Sequence, residues 1–347
     1  MSTVRKKIRE FGMPRVIIIA FILLILVGAL LEGQDMAVLI SDSLVRVGQN
    51  MLLALAMLPT ILVGAGLNMG IAIGIVCGIL GGLISVELGL VSWGGLMFGI
   101  LLAICAGMVG GFLYSLLLNR VRGSEMLIGN YLGSTVVYLM CMFWFAAPFR
   151  NPTIIWPMGG KGVRTTIPVS DFFEKVLNRF LMFKIGNVTI PTGLFLFVFL
   201  ICFLMYLFTK SRTGMILRTV GNNPSFAAMS GIHINKARII GITLSTVLAA
   251  IGINVYAQSY GFYQAYEGPL TMAFTPMAAI LLGGATMKNV KIRHAIIGTF
   301  LIQTLLTTAL PVCNQLFPES NLSEVFRIII SNGIILYALT QAGGERR

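Results

Sequence analysis

Residues 47–86 read VGQNMLLALAMLPTILVGAGLNMGIAIGIVCGILGGLISV, forty consecutive residues without an acid or a base. A helix needs about 20 apolar residues to cross a bilayer, so this stretch is long enough for two spans. A mid-bilayer Arg or Lys costs roughly 2.5–3.5 kcal/mol on the insertion scale, which makes so long a charge-free run a membrane signature. Pro59 and the Gly64-Ala65-Gly66 cluster offer a break between the two spans. Beyond it, Gly70, Gly74, Gly78 and Gly82 fall every fourth residue. They form a small-residue ridge on one helix face, which lets a neighbouring helix approach closely.

The same test applied outward predicts ten spans. They lie near 14–31, 46–64, 66–86, 92–118, 126–147, 191–209, 238–257, 269–286, 294–312 and 324–340. The charge-free window 219–235 is polar (Gly221, Asn222, Asn223, Pro224, Ser225) and reads as a loop. Composition agrees. The 347-residue chain is 57% hydrophobic and 11% charged, with a mean hydropathy of +0.91. Soluble domains carry about 25% charged residues. The expected fold is all-α: a polytopic membrane protein forming one transmembrane domain over 1–347.

The net charge of +13 is informative through its placement. With the N-terminus inside, the inner segments hold 17 basic and three acidic residues, net +14, and the outer segments eight basic and nine acidic, net −1. That is the positive-inside bias, and it places both termini in the cytoplasm. The first span has basic residues before an apolar core, as a signal peptide does. No A-x-A-like site follows it, so it reads as an uncleaved anchor.

Two connections are long. The outer one, 148–190, begins with turn formers (Pro148, Pro152, Pro157, Gly159, Gly160, Gly162). It continues with Phe172, Phe173, Val176, Leu177, Phe180 and Leu181 on one helical face and Asp171, Glu174, Lys175 and Asn178 on the other. This predicts an amphipathic helix lying on the membrane, N-capped by Ser170. The inner connection, 210–237, is basic and predicts a short helix after Asn223-Pro224, with Pro near its first position.

The chain carries little chemistry. The five Cys (77, 105, 141, 202, 313) form no CxxC pair and no cluster with His, so neither a disulfide framework nor a metal site is expected. His233 and His294 read as solvated or interfacial. All twelve acids lie outside the charge-free windows. Ion-coupled carriers commonly bury ionisable groups at membrane depth, and this sequence offers none. Gly159-Gly160-Lys161-Gly162 lacks the G-x-x-x-x-G-K-[ST] spacing of a P-loop. No catalytic role and no cofactor are expected; either an energy source docks from outside the chain or the protein is a passive pore.

The inner loop carries a pattern. Thr213-Gly214-Met-Ile-Leu-Arg218-Thr-Val-Gly221-Asn222-Asn-Pro-Ser-Phe-Ala227-Ala228-Met-Ser230-Gly231-Ile232 resembles the cytoplasmic loop of ribose-type ABC permeases. Met277-Ala278-Ala279-Ile-Leu-Leu-Gly283-Gly284-Ala-Thr is similar to a second stretch of the branched-chain amino acid, sugar and nucleoside permease group. Where sugar permeases carry G-G-I-D-L-S, this chain reads Gly64-Ala65-Gly66-Leu67-Asn68-Met69-Gly70. Ser124-Glu125-Met126-Leu-Ile-Gly-Asn130-Tyr131 faintly resembles the N-E and L-N-Y region of nucleoside-type permeases.

The resemblance implies the membrane-spanning subunit of an ABC importer in a bacterial inner membrane. It implies four partners: an ATP-binding subunit on the cytoplasmic face, a second permease subunit (a copy or a paralogue), an external solute-binding protein, and lipid. ATP hydrolysis would belong to the partner. Coupling to that ATPase would fall to Gly221, Asn222, Ala227, Ala228, Ser230 and Gly231. For a solute path the sequence offers the bulky amides within apolar spans, Asn68, Asn130, Gln258 and Gln303. Such groups must pair or face a cavity, and helix–helix hydrogen bonding is the competing role for each. Amides with few charges suit a small neutral solute, a simple sugar or nucleoside. The alternative is a carrier or channel that needs no ATPase; a membrane enzyme or scaffold would lack a reactive cluster.

Overall fold

The computed structural model describes residues 13–31, 33–156, 162–287 and 289–316, with Val325, Ile329 and Gly333 singly. The expected span at 324–340 therefore lies outside the described residues. Helices cover the other expected spans: α1 (Met13–Leu31), α2 (Met36–Leu62), α3 (Ile71–Glu87), α4 (Ser92–Arg120) and α5 (Glu125–Ala146). After a non-helical connection come α6 (Val176–Arg179), α7 (Thr192–Lys210), α8 (Arg212–Asn222), α9 (Pro224–Met229) and α10 (Ile234–Tyr260). Then follow α11 (Gly268–Thr271), α12 (Phe274–Leu282) and α13 (Ile292–Leu316). Helices α2, α4, α5, α7 and α10 are each long and apolar enough to cross a membrane.

Helix α2 begins well before residue 46 because Asp35 caps it, accepting the Ala37 N–H at 2.9 Å. It therefore includes Asp42 and Arg46, so the charge-free window is shorter than the helix. Pro59 stays inside α2, and the break falls on the glycines. Gly64 and Gly66 have φ of 76° and 79°, a region that favours glycine. The junction is largely buried, with Ala65, Leu67 and Asn68 shielded.

Helices α2 and α10 form the centre. In each, 78% of the most apolar window is buried, against 17–33% in α4, α5 and α7. The outer helices instead expose Leu113, Leu139, Met142, Phe199 and Phe203, as a surface against lipid requires. The glycine ridge packs as expected. A Cβ on Gly74 would meet the Thr246 carbonyl and Ala249, one on Gly78 the Ala250 backbone and Ile253, and one on Gly82 the Tyr263 ring. Helices α3 and α10 are thus in backbone contact, which only residues without side chains allow.

The segment between α5 and α7 departs from expectation. It contains strands in an otherwise helical fold: β1 (Thr166–Pro168) pairs with β4 (Phe262–Gln264), and β2 (Phe183–Ile185) with β3 (Val188–Ile190), both antiparallel. The amphipathic helix expected over 170–181 is replaced by turns and the single turn α6, entered through a left-handed Lys175 (φ 54°). Ser170 heads a turn and not a helix. The cause is tertiary. The Lys175 N–H donates to the Gln258 carbonyl at 2.6 Å and the Leu177 N–H to Gln258 Oε1 at 3.2 Å. Phe173 and Leu177 are buried in the main core. The segment plugs the end of α10 rather than lying flat.

Candidate functional site

Two regions gather the residues singled out by sequence. The first is the end of the molecule formed by α8 and α9. Ser211 caps α8, accepting the Gly214 N–H at 3.3 Å. Gly214, Leu217 and Val220 turn inward. Asn223 ends α8 and caps α9, its Oδ1 accepting the Phe226 N–H at 3.0 Å, with Pro224 in the first turn. The expected short helix is therefore present. It closes with Gly231 at φ 75°, the Ile232 N–H donating back to the Ala227 carbonyl at 3.0 Å.

Among the six loop residues, two face the protein. Ala227 is buried beside Leu217, Val220 and Ala237. Gly221 lies with its Cα against the Leu62 carbonyl and Gly64, leaving no room for a side chain. Asn222, Ala228, Ser230 and Gly231 are exposed. Two further exposed residues were not singled out by sequence: Phe226, 54% exposed, and Met229, 81% exposed. They lie within the quoted loop sequence, and only the fold tells their side from that of Ala227.

This end is braced from below. Arg238 at the start of α10 donates from Nε to Asn119 Oδ1 at 3.0 Å and pairs with Glu125 at 2.8 Å, both charges well shielded. Arg122 also donates to Asn235 Oδ1. Glu125 thus ties α5 to α10. His233 is exposed, as expected, but His294 is buried at the α12–α13 junction, its Nδ1 accepting the Lys291 N–H at 3.3 Å.

The second region concerns the amides, and the structure separates them. Asn68 is fully engaged, donating to Ser245 Oγ at 2.8 Å and accepting the Tyr114 hydroxyl at 3.2 Å. Gln258 donates to Asn178 Oδ1 at 3.1 Å and holds the Leu177 N–H. Both of these amides are held by protein partners. Asn130 lines a cavity of about 220 Å³ with Ser134, Phe274 and Met277. Gln303 lines a cavity of about 740 Å³ between α2, the 175–191 segment, the end of α10 and α13. Gln49 and Asn254 belong to the same class but were not singled out. Asn254 is buried, donating to the Gly78 carbonyl at 3.0 Å and accepting the Tyr263 hydroxyl at 2.7 Å. Burial pushes the Tyr263 phenol well above its ordinary range, so it remains a neutral donor. Glu267 is exposed at the start of α11. Among the described residues no group of His, Cys, Asp and Glu could hold a metal ion.

The family described as "Branched-chain amino acid transport system / permease component" matches residues 39–338. The ribose import permease protein RbsC of Escherichia coli K12 is 26% identical over 55% of each chain. The nucleoside ABC transporter permease protein NupB of Lactococcus lactis is 30% identical over 28% of this chain and 27% of its own. The tyrosine transport system permease protein of Clostridioides difficile is 33% identical over 31% of this chain and 37% of its own. The chain thus spans between about a quarter and just over half of the length of these relatives. No solved structure matches.

Proposed function

The chain belongs to the branched-chain amino acid transport system permease component family, and from that premise we propose that it is the membrane-spanning subunit of an ABC importer for a small neutral solute. It forms one transmembrane domain of ten spans in a bacterial inner membrane, with both termini inside. It performs no hydrolysis itself; a separate ATP-binding subunit does so, docked on α8 and α9. A second permease subunit and an external solute-binding protein complete the assembly. A simple sugar or nucleoside is the favoured solute, in line with the printed names of relatives that import ribose and nucleosides.

The observation that carries this reading is α9. It is a single short helix, anchored by Ala227 and presenting Phe226 and Met229 to the exterior. An exposed apolar pair among exposed polar residues (Asn222, Asn223, Ser225, Ser230) favours a protein partner. Gly221, at the end of the adjoining α8, touches the backbone of the break after α2. A push on α9 therefore reaches a discontinuous span through backbone contact. Discontinuous helices are where transporters commonly change shape.

Mild-detergent purification from the native membrane tests the docking. An ATP-binding subunit is expected to co-purify with the parent. It should be lost from Met229→Arg, Ala228→Arg and Gly231→Arg, while the permease of each variant is still recovered in monodisperse form. Retention by all three removes α9 as the docking site. Absence of any ATPase from the parent moves the ATPase-independent carrier ahead, and dependence on an ion gradient then becomes the question.

A further inference from the structure

The cavity of about 740 Å³ lies at the opposite end of the molecule from α9, within the roughly 300–1,000 Å³ range of small-molecule sites. We infer that it is the solute-selecting site and that its ligand is a neutral monosaccharide, held by the carboxamides of Gln49 and Gln303. The identification of its ligand as cargo rests on the permease reading above.

Gln49 is the starting observation. It is 1% exposed, and its Nε2 has no hydrogen-bond partner in the structure. It lines the cavity from α2. A buried amide donor without a partner is unfavourable and calls for an explanation; a ligand acceptor in the cavity supplies one. Gln303, also buried, lines the same cavity from α13. Each carboxamide offers both donors and an acceptor, which suits hydroxyl groups that also do both.

The other polar groups around the cavity are mostly committed. Asn178 donates to Ser259 Oγ at 2.9 Å and accepts from Gln258. Lys175 pairs with Glu174 at 2.9 Å. The Arg46 guanidinium lies 4.8 Å from the Tyr260 ring centroid. Asp42 and Arg179 line the cavity too, but both are exposed and not at depth. The uncommitted groups at depth are thus neutral amides, which argues against an ionic solute.

The aromatic residues separate sugar from nucleoside. Tyr260 is the one aromatic residue among the described lining. Its ring is already engaged by Arg46, by Tyr256 stacked at 5.2 Å and by Phe262 at 4.7 Å. A nucleobase seeks an aromatic face, and this one is taken. A ligand held by hydroxyl–amide hydrogen bonds needs none.

The test uses the full chain in lipid nanodiscs, with binding of radiolabelled D-ribose, D-fructose and uridine measured at equilibrium. Ribose or fructose is expected to bind saturably, and Gln49→Leu and Gln303→Leu to weaken it at least tenfold. Gln49→Leu should leave the melting temperature of the empty protein unchanged or raised, because it removes an unpaired donor. Sugar binding unchanged by both substitutions overturns the site. Uridine binding without either sugar overturns the ligand class. No saturable binding of any probe overturns the inference, yet leaves the permease reading intact if an ATPase still co-purifies. Gln49-dependent sugar binding without a co-purifying ATPase would instead keep the site and remove the importer.

Discussion

Helix α2 ends at Leu62 and helix α12 at Leu282, and the two ends are closed by the same hydrogen bonds. Gly64 and Gly284 both turn left-handed, at φ 76° and 88°. Gly64 donates to Ile61 and Ala65 to Thr60; 220 residues on, Gly284 donates to Leu281 and Ala285 to Ile280. This is the glycine-terminated cap that satisfies a helix's last carbonyls. What meets each end differs. At Leu62 the visitor is Gly221, the last turn of α8, backbone against backbone. At Leu282 it is Arg15 of α1, whose Nε donates to the carbonyl at 3.1 Å, a cation placed where the helix dipole favours one. One break touches the end of α8, beside the α9 proposed for docking, and the other is pinned by a charge. Identical local chemistry therefore does not set the role; the partner does.

That contrast can be broken by substitution. The largest effect is expected at the brace beneath α8 and α9. Glu125→Ala leaves Arg238 shielded and unpaired, a loss of about 3–5 kcal/mol, and should lower the melting temperature of the detergent-solubilised chain more than any change at either break. Gly221→Val comes next. Its side chain would collide with the Leu62 carbonyl, costing about 1–3 kcal/mol as overpacking does, with docking of the ATPase reduced by co-purification. The smallest effect is the matched pair Gly64→Ala and Gly284→Ala. Each forces a side chain into a left-handed conformation, at about 1–2 kcal/mol. Gly284→Ala also displaces the Arg15 guanidinium, so it should lower thermal stability at least as much as Gly64→Ala, yet only Gly64→Ala should weaken ATPase retention. Equal retention by the two variants would erase the distinction drawn between the breaks.

The two breaks also differ in how readable they were. Gly64-Ala65-Gly66 stood between two runs too long for one span, so length forced a break there. Gly283-Gly284 sat inside a window of ordinary span length, and 269–286 read as one continuous helix. The structure covers it with an apolar helical stretch, Gly268–Leu282, interrupted at Met272-Ala273 between α11 and α12 and closed at the glycines. Hydropathy is blind to a turn made of apolar residues. The repeated sequence, apolar residues followed by Gly64-Ala65 and Gly284-Ala285, was the available signal.

Elsewhere the sequence pattern reached as far as local physics allows. The glycine ridge, the Asn223-Pro224 helix start and the five helices long and apolar enough to cross a membrane depend on neighbours in the chain, and they appear as expected. The 170–181 segment does not, because its amide groups are claimed by Gln258, some 80 positions away. The amides failed to sort themselves for the same reason. Asn68 and Gln49 lie in one charge-free run, and only the fold shows that Ser245 and Tyr114 engage the first while the second is left facing a cavity.

The most direct measurement is hydrogen–deuterium exchange on the chain, alone and in complex with its co-purified ATPase. The account predicts slower exchange at 224–231, where the ATPase sits, together with a change at 62–70, and none at 283–290. A change at 283–290 without one at 62–70, or no protection of 224–231, would contradict it.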